Sequence, residues 1–190
     1  MQSITTDRLC LRAFLETDIP VIYAIFSDVE VNRFLPWFPL QSPEEATAFY
    51  NQRLNASTHP GREYAICFRN DNIPVGYITV SGEDSHDFGY GLRKEFWHQG
   101  IVTEAGKAVI EELRKDEVPF ITATHDVNNP ASGKVMQRLG MTYQYSYEEL
   151  WQPKNFLVTF RMYQLNLDQN KDRIYRKYWE MYPVHYIEKI

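Results

Sequence analysis

Cysteine is scarce: Cys10 and Cys67 stand far apart in strand-like apolar surroundings, with no CxxC and no Cys/His cluster. That pattern excludes a disulfide framework and a zinc site and leaves two reduced packing residues. Long apolar runs are missing too, and the opening "MQSITTDRLCLR" has no basic segment followed by an apolar stretch and a small-residue cleavage site. The expectation is a cytoplasmic chain without a membrane span. Positive charge is short, the formal net being −5. An acidic protein is a poor ligand for nucleic acid, whose binding rests on neutralised phosphates. There is no GxxxxGK[ST], and the "GYG" at Gly89 lacks the third glycine of a dinucleotide fingerprint.

What is present is an ordinary globular composition, 44% hydrophobic and 24% charged, so a single core of domain size accounts for the 190 residues. Charge is unevenly spread: residues 171–190 hold five Lys/Arg and three Asp/Glu, a net of +2, against −7 on residues 1–170. "TDRLCLRAF" alternates as a half-buried strand does. Asp18 is expected to cap a helix with Pro20 in its first turn, a short helix to run from Ser27 to before Pro36, and the capping box "SPEE", Ser42 to Glu45, to open a helix reaching about Leu54. A hairpin follows, Tyr64–Arg69 and Pro74–Val80, turning at Asn70-Asp71-Asn72. A third strand, Asp87–Leu92, contains two glycines, which suggests a bulge or the close approach of another group. After it come a helix from about Thr103 to Lys115, the buried strand "PFITATHD", a helix capped by Asn129 and stopped by Gly140, and two closing strands.

The stretch "FWHQGIVTEA", Phe96 to Ala105, leaves a bare glycine at the start of a helix. First-turn amides have no partner inside a helix and their aligned dipoles favour an anion, which a glycine lets approach. The bland alternative is a tight turn with Gly100 left-handed. This segment, behind the "GYGL" strand, resembles motif A of the GCN5-related N-acetyltransferases, in the branch with the ribosomal-protein N-terminal and spermidine acetyltransferases. "NPASGKVMQRLGM", Asn129 to Met141, is similar to the family's Asn-x-x-Ser segment, and "TDRLCLR" to its opening strand; the likeness covers about residues 3–167.

The resemblance implies an α+β fold: a mixed, mostly antiparallel sheet of about seven strands, helices on both faces, and a V-shaped splay between the fourth and fifth strands that holds acetyl-coenzyme A. It implies that backbone groups of Gly89, Tyr90, Gly91, Leu92 and Arg93 meet the pantetheine arm, that the turn Trp97, His98, Gln99, Gly100, Ile101, Val102 and Thr103 holds the pyrophosphate, and that Asn129 and Ser132 close the far side. Val102 stands where the family has alanine or glycine and would crowd the turn. The implied activity is direct transfer of the acetyl group to a primary amine, a protein N-terminus or a small amine, in a ternary complex.

That reaction needs a base for the amine, a donor to the developing oxyanion and a proton for the thiolate. Glu148 and Glu149 are the first candidates for the base and Asp87 the next. Met136 occupies the place of the family's helical tyrosine, which leaves Ser132 as the acid, and the amide of Tyr90 or Gly91 as the oxyanion donor. Trp37 and Phe38, with Tyr90 and Trp151, are expected to wall the acceptor pocket. A non-catalytic acyl-coenzyme A binding module is the alternative. Domain bounds of 1–168 and 169–190 are expected, the second an aromatic helical tail in which Tyr175, Tyr178, Trp179 and Tyr182 form a stripe. Such a stripe is covered by its own domain or by a second subunit, which makes a homodimer the expected assembly.

Overall fold

Leu9 and Leu11 turn to one side of strand β2 (Leu9–Ala13) and are fully buried, as their alternation with polar residues requires. A computed structural model describes residues 2–55 and 61–190 and extends this pattern into two sheets. The first runs β1 (Ile4–Thr5), β2, β3 (Arg62–Phe68), β4 (Pro74–Val80) and β5 (Phe88–Leu92), each antiparallel to the next. The second has the order β6 (Phe120–Asp126), β8 (Phe156–Asn166), β7 (Thr142–Trp151), β9 (His185–Tyr186). One parallel bridge, Asp87 to Thr122, joins the start of β5 to β6. The expected splay therefore lies between β5 and β6, the two-residue β1 having moved the count by one.

Helices α3 (Ile101–Lys115) and α4 (Pro130–Arg138) cover one face, where Val109, Leu113, Met136 and Leu139 join Leu9, Ile66, Ile78 and Ile121 in the main core. Helices α1 (Ile19–Ser27) and α2 (Pro43–Phe49), the latter followed by a π-helical turn over Tyr50–Leu54, cover the opposite face of the first sheet through Phe26, Ala46 and Leu54 against Ala65, Cys67 and Tyr77. Ser42 caps α2 through the Glu45 amide at 3.3 Å, as "SPEE" predicts. Among the described residues no helix is long and apolar enough to cross a membrane.

Three local expectations need correcting. Asp18 does not cap α1; it bonds back to the Leu15 amide at 2.8 Å and pairs with Arg12 at 2.7 Å, a cation that outcompetes a backbone amide for the carboxylate. No helix follows Ser27, because the Asp28 carboxylate takes the Glu30 and Val31 amides and Asn32 Nδ2 bonds the carbonyls of Ile25 and Asp28, locking a string of turns. The β5 strand has no bulge: its register with β4 is regular from Val80–Phe88 to Gly76–Leu92. Its glycines answer to side chains instead. A Cβ on Gly91 would lie 2.4 Å from the Tyr77 ring and one on Gly89 2.5 Å from Thr79 Oγ1.

The tail is held by its own chain. Tyr175, Tyr178, Trp179 and Tyr182, around the short helix α5 (Lys177–Met181), pack on Tyr145, Tyr147, Val158, Phe160 and Met162 of the second sheet, and β9 pairs with β7.

Candidate functional site

A cavity of about 1180 Å³ runs through the gap between β5 and β6 and out beneath α1 and α2. On its floor β5 presents an open edge. Arg93 N bonds Val75 O and Ser81 N bonds Asp87 O, so the odd-numbered residues from Asp87 to Arg93 face β4 and the alternate ones, Tyr90 and Leu92, turn their backbone groups to the gap. Leu92 O already accepts from Trp97 Nε1 at 2.8 Å. The expectation for Arg93 is thereby overturned: its amide is spent on β4, its guanidinium pairs with Glu95, and it does not line the cavity. Gly91 is likewise committed to Tyr77, so Tyr90 supplies the open amide.

At one end of the cavity lies the turn from Trp97 to Thr103, every residue of which lines it. Gly100 has φ +73° and is the residue before α3. Its missing side chain matters for conformation rather than space, since a Cβ there would find nothing nearer than Arg8 at 4.0 Å. The first intrahelical bond runs from Glu104 N to Gly100 O, and no side chain caps the helix, so the Ile101, Val102 and Thr103 amides have no acceptor inside it. The helix starts two residues earlier than its sequence suggests, and Ile101 is buried in the core. Val102 is half-buried against the same core. Glu104 anchors this turn: burial pushes its pKa up, but Thr6 and Arg8 outweigh that and hold it low.

Across the gap, Asn129 caps α4 through the Ser132 amide at 3.4 Å and lines the cavity as well. Ser132 meets a partner that the sequence does not reveal. Tyr90 Oη lies 2.8 Å from both Ser132 O and Ser132 Oγ, so the phenol donates to the carbonyl and accepts from the hydroxyl. Burial raises the Tyr90 pKa further above its ordinary range, with Ser132 opposing. Met136 is buried in the core, and a strand tyrosine reaches the helix in place of a helical one.

The other end carries aromatic walls and carboxyls. Phe26 stacks on Tyr77 with ring centroids 5.0 Å apart, Trp37 meets Phe49 edge-on at 5.8 Å, and Arg53 lies over the Trp37 ring at 4.9 Å. Trp37 Nε1 is buried without a partner among the described residues. Phe38, by contrast, is 59% exposed and outside the cavity. Trp151 and Phe160 form the far wall with centroids 5.0 Å apart. Lys154, in the β7–β8 turn, reaches the carbonyls of Asn32 and Arg33 and bridges the two rims.

Asp87 sits where β5 and β6 meet. Its Oδ1 is buried with no hydrogen-bond partner among the described residues, and burial pushes its pKa up to about 6. Glu63, missed in the sequence, also lines the cavity; burial, opposed by Arg53, pushes it up to about 8. A strand bound drawn one residue too far in hid it. On the alternating face Glu63-Ala65-Cys67 it is the one charged residue, which was the available signal. Glu148 and Glu149 do not line the cavity. The Glu148 amide bonds the tail at Val184, and Glu149, raised by burial, has the Tyr182 phenol against it. The tail thus occupies the Glu149 carboxyl and the Glu148 backbone, and neither glutamate meets the gap.

Residues 8–142 match the acetyltransferase (GNAT) domain family, more than half of the chain. An uncharacterized N-acetyltransferase of Bacillus subtilis, YnaD, is 28% identical over 142 residues, which span 73% of this chain and 81% of that one. Among solved structures, a GNAT-family acetyltransferase from Bacillus anthracis superposes with a TM-score of 0.77 at 21% identity, covering 87% and 99% of the two chains. RimL, a ribosomal L7/L12 α-N-protein acetyltransferase in complex with coenzyme A, superposes with a TM-score of 0.73 at 21% identity over 87% and 98%.

Proposed function

Because the chain belongs to the acetyltransferase (GNAT) family and is an acetyl-coenzyme A-dependent N-acetyltransferase, we propose that Asp87 is its proton acceptor and the Tyr90–Ser132 pair its proton donor. The observation that carries this reading is Asp87 Oδ1, buried and without a hydrogen-bond partner among the described residues at the closed end of the β5–β6 gap. The residues present fit the cosubstrate. Free first-turn amides beside a bare Gly100 suit a pyrophosphate, and the open Tyr90 edge suits an amide-bearing arm.

Acetyl-coenzyme A supplies the thioester when bound. The chain's own residues do the rest. Asp87, ionised at neutral pH, attracts the acceptor's ammonium; one proton leaves to solvent to give the free amine, and Asp87 takes the second, which the nitrogen sheds on bonding to the carbonyl carbon. The Tyr90 amide faces the gap as the donor for charge on the carbonyl oxygen. Ser132 Oγ and Tyr90 Oη, kept protonated by burial, return a proton to the departing thiolate.

The acceptor is a primary amine with a single positive charge beside an apolar or aromatic group, a peptide N-terminus or a small amine. Phe26, Trp37, Phe49 and Tyr77 offer the apolar wall, Glu63 is largely uncharged at neutral pH, and Arg53 puts a cation at the rim, which disfavours a polyamine. Thiol release with peptide N-termini, monoamines and spermidine tests this, with spermidine expected to be the poorest. Asp87→Asn should lower kcat by about 10²–10⁴-fold while calorimetry finds coenzyme A binding intact. Full turnover in that variant would remove Asp87 from the role, and no binding of coenzyme A would sink the whole reading.

Cys10 and Cys67 stand opposite each other on β2 and β3 as free thiols, which suits the reducing cytoplasm. The homodimer reading moves from the covered aromatic stripe to the edge strand β9, where Tyr186, Ile187 and Ile190 are exposed. Sedimentation checks it: Ile187→Lys should turn a dimer into a monomer, and a monomeric parent chain ends it.

A further inference from the structure

We propose that the C-terminal segment, outside the region that matches the family, is part of the active site: its tyrosines seal the rear of Asp87 and clamp the loop that carries it, making Tyr178 a positioning residue for the proton acceptor. This rests on the reading of Asp87 given above.

The loop between β4 and β5 is held from two sides. From the body, Thr122 Oγ1 donates to Ser85 O at 2.9 Å. From the tail, Tyr175 Oη donates to Asp84 Oδ1 at 3.0 Å and Lys177 Nζ reaches both Asp84 oxygens at 3.1 Å. The tail is itself fixed, Tyr145 Oη donating to Tyr175 O at 2.7 Å and Tyr147 stacking on Tyr178 and Tyr182 at 5.3 and 4.8 Å. Tyr178 is turned to the buried Ser85, which lies two residues before Asp87. Among the described residues, the Asp87 charge acts on four phenols, Tyr90 from β5, Tyr147 from β7, and Tyr175 and Tyr178 from the tail, and the Tyr178 ring packs against those of Tyr147 and Tyr175 with centroids 5.3 Å away in each case. Burial is the first cause of the rise at all four; the Asp87 charge adds next at Tyr178, where Ser85 opposes, and adds less at Tyr147 behind Tyr178 and Glu149, at Tyr175 behind Asp84, and at Tyr90, where Ser132 opposes. A carboxylate walled by uncharged phenols is shielded from water without gaining a cation. That is what keeps it basic enough to accept a proton yet ionised at neutral pH.

The test is a ¹³C NMR titration of the Asp87 carboxyl in the full chain, beside the acid limb of kcat/KM. Tyr178→Ala should admit water and lower both midpoints by about one pH unit or more, whereas Tyr178→Phe should leave them within about 0.3 unit. If the alanine variant does not fold, Tyr175→Phe/Lys177→Met serves. Removing a positive charge would by itself raise the midpoint, so a fall of about half a unit reports a loosened clamp. Unchanged midpoints in the folded variants overturn the proposal even where stability drops. The carboxyl titration is read without turnover, so it judges the clamp even if Asp87 proves not to be the base.

Discussion

Burying Asp87 Oδ1 with no hydrogen-bond partner among the described residues costs stability that the fold makes up elsewhere. Its folded pKa is raised, so the native state holds a proton that the unfolded state gives up between about pH 4 and 6. Stability from this group is therefore present in acid and lost as pH rises through about 6. Asp87→Asn removes the penalty: urea unfolding should show the variant more stable by up to about 3 kcal/mol at pH 7, with the difference gone near pH 4. An inactive variant that is also more stable is the signature of a residue kept for chemistry. The glycines of β5 carry the opposite lesson, because the Tyr77 ring by itself demands Gly91.

At the scale of elements, α4 meets the gap with Asn129, which serves as helix cap and cavity wall together. The two roles separate by substitution. Asn129→Ser keeps a capping oxygen and should hold thermal stability within about 0.5 kcal/mol while weakening coenzyme A binding; Asn129→Ala should lose both, with about 1 kcal/mol of stability. Calorimetry and thermal melts check this. Helix α3 starts where Gly100 turns left-handed, and Glu104, its first-turn acid, binds Thr6 and Arg8 and so ties the helix start to the opening strand.

Across the whole molecule, the two sheets are covered differently on the side where the cavity opens. Helices α1 and α2 cover the first, and the tail covers the second. The tail is also pinned by Arg161, whose guanidinium pairs with Glu188 and, ahead of the Ser146 hydroxyl, holds that carboxyl below its ordinary range. A depressed carboxyl contributes stability that is present above about pH 4.5 and lost as pH falls. Acid titration should therefore loosen the tail below about pH 4, before global unfolding, seen as a change in the emission of Trp179 that Glu188→Gln brings on already at neutral pH.

Apart from the helix expected after Ser27, the order of strands and helices, the turn at Gly100 and the cap at Asn129 were written in local pattern. Periodicity, capping residues and glycine act over a few neighbours and survive any tertiary context. Which acidic side chain enters the gap was not, because Asp87, Glu63, Glu148 and Glu149 are alike as residues and differ only in what the sheets place against them. The Tyr90–Ser132 contact spans 42 positions and the tail's grip on Asp84 spans 91 or more, and contacts at such separation come from packing alone. Sequence by itself determined an acetyl-coenzyme A-dependent N-acetyltransferase; the meeting of β5, β6 and the tail decided which carboxylate would lie at the closed end of the gap.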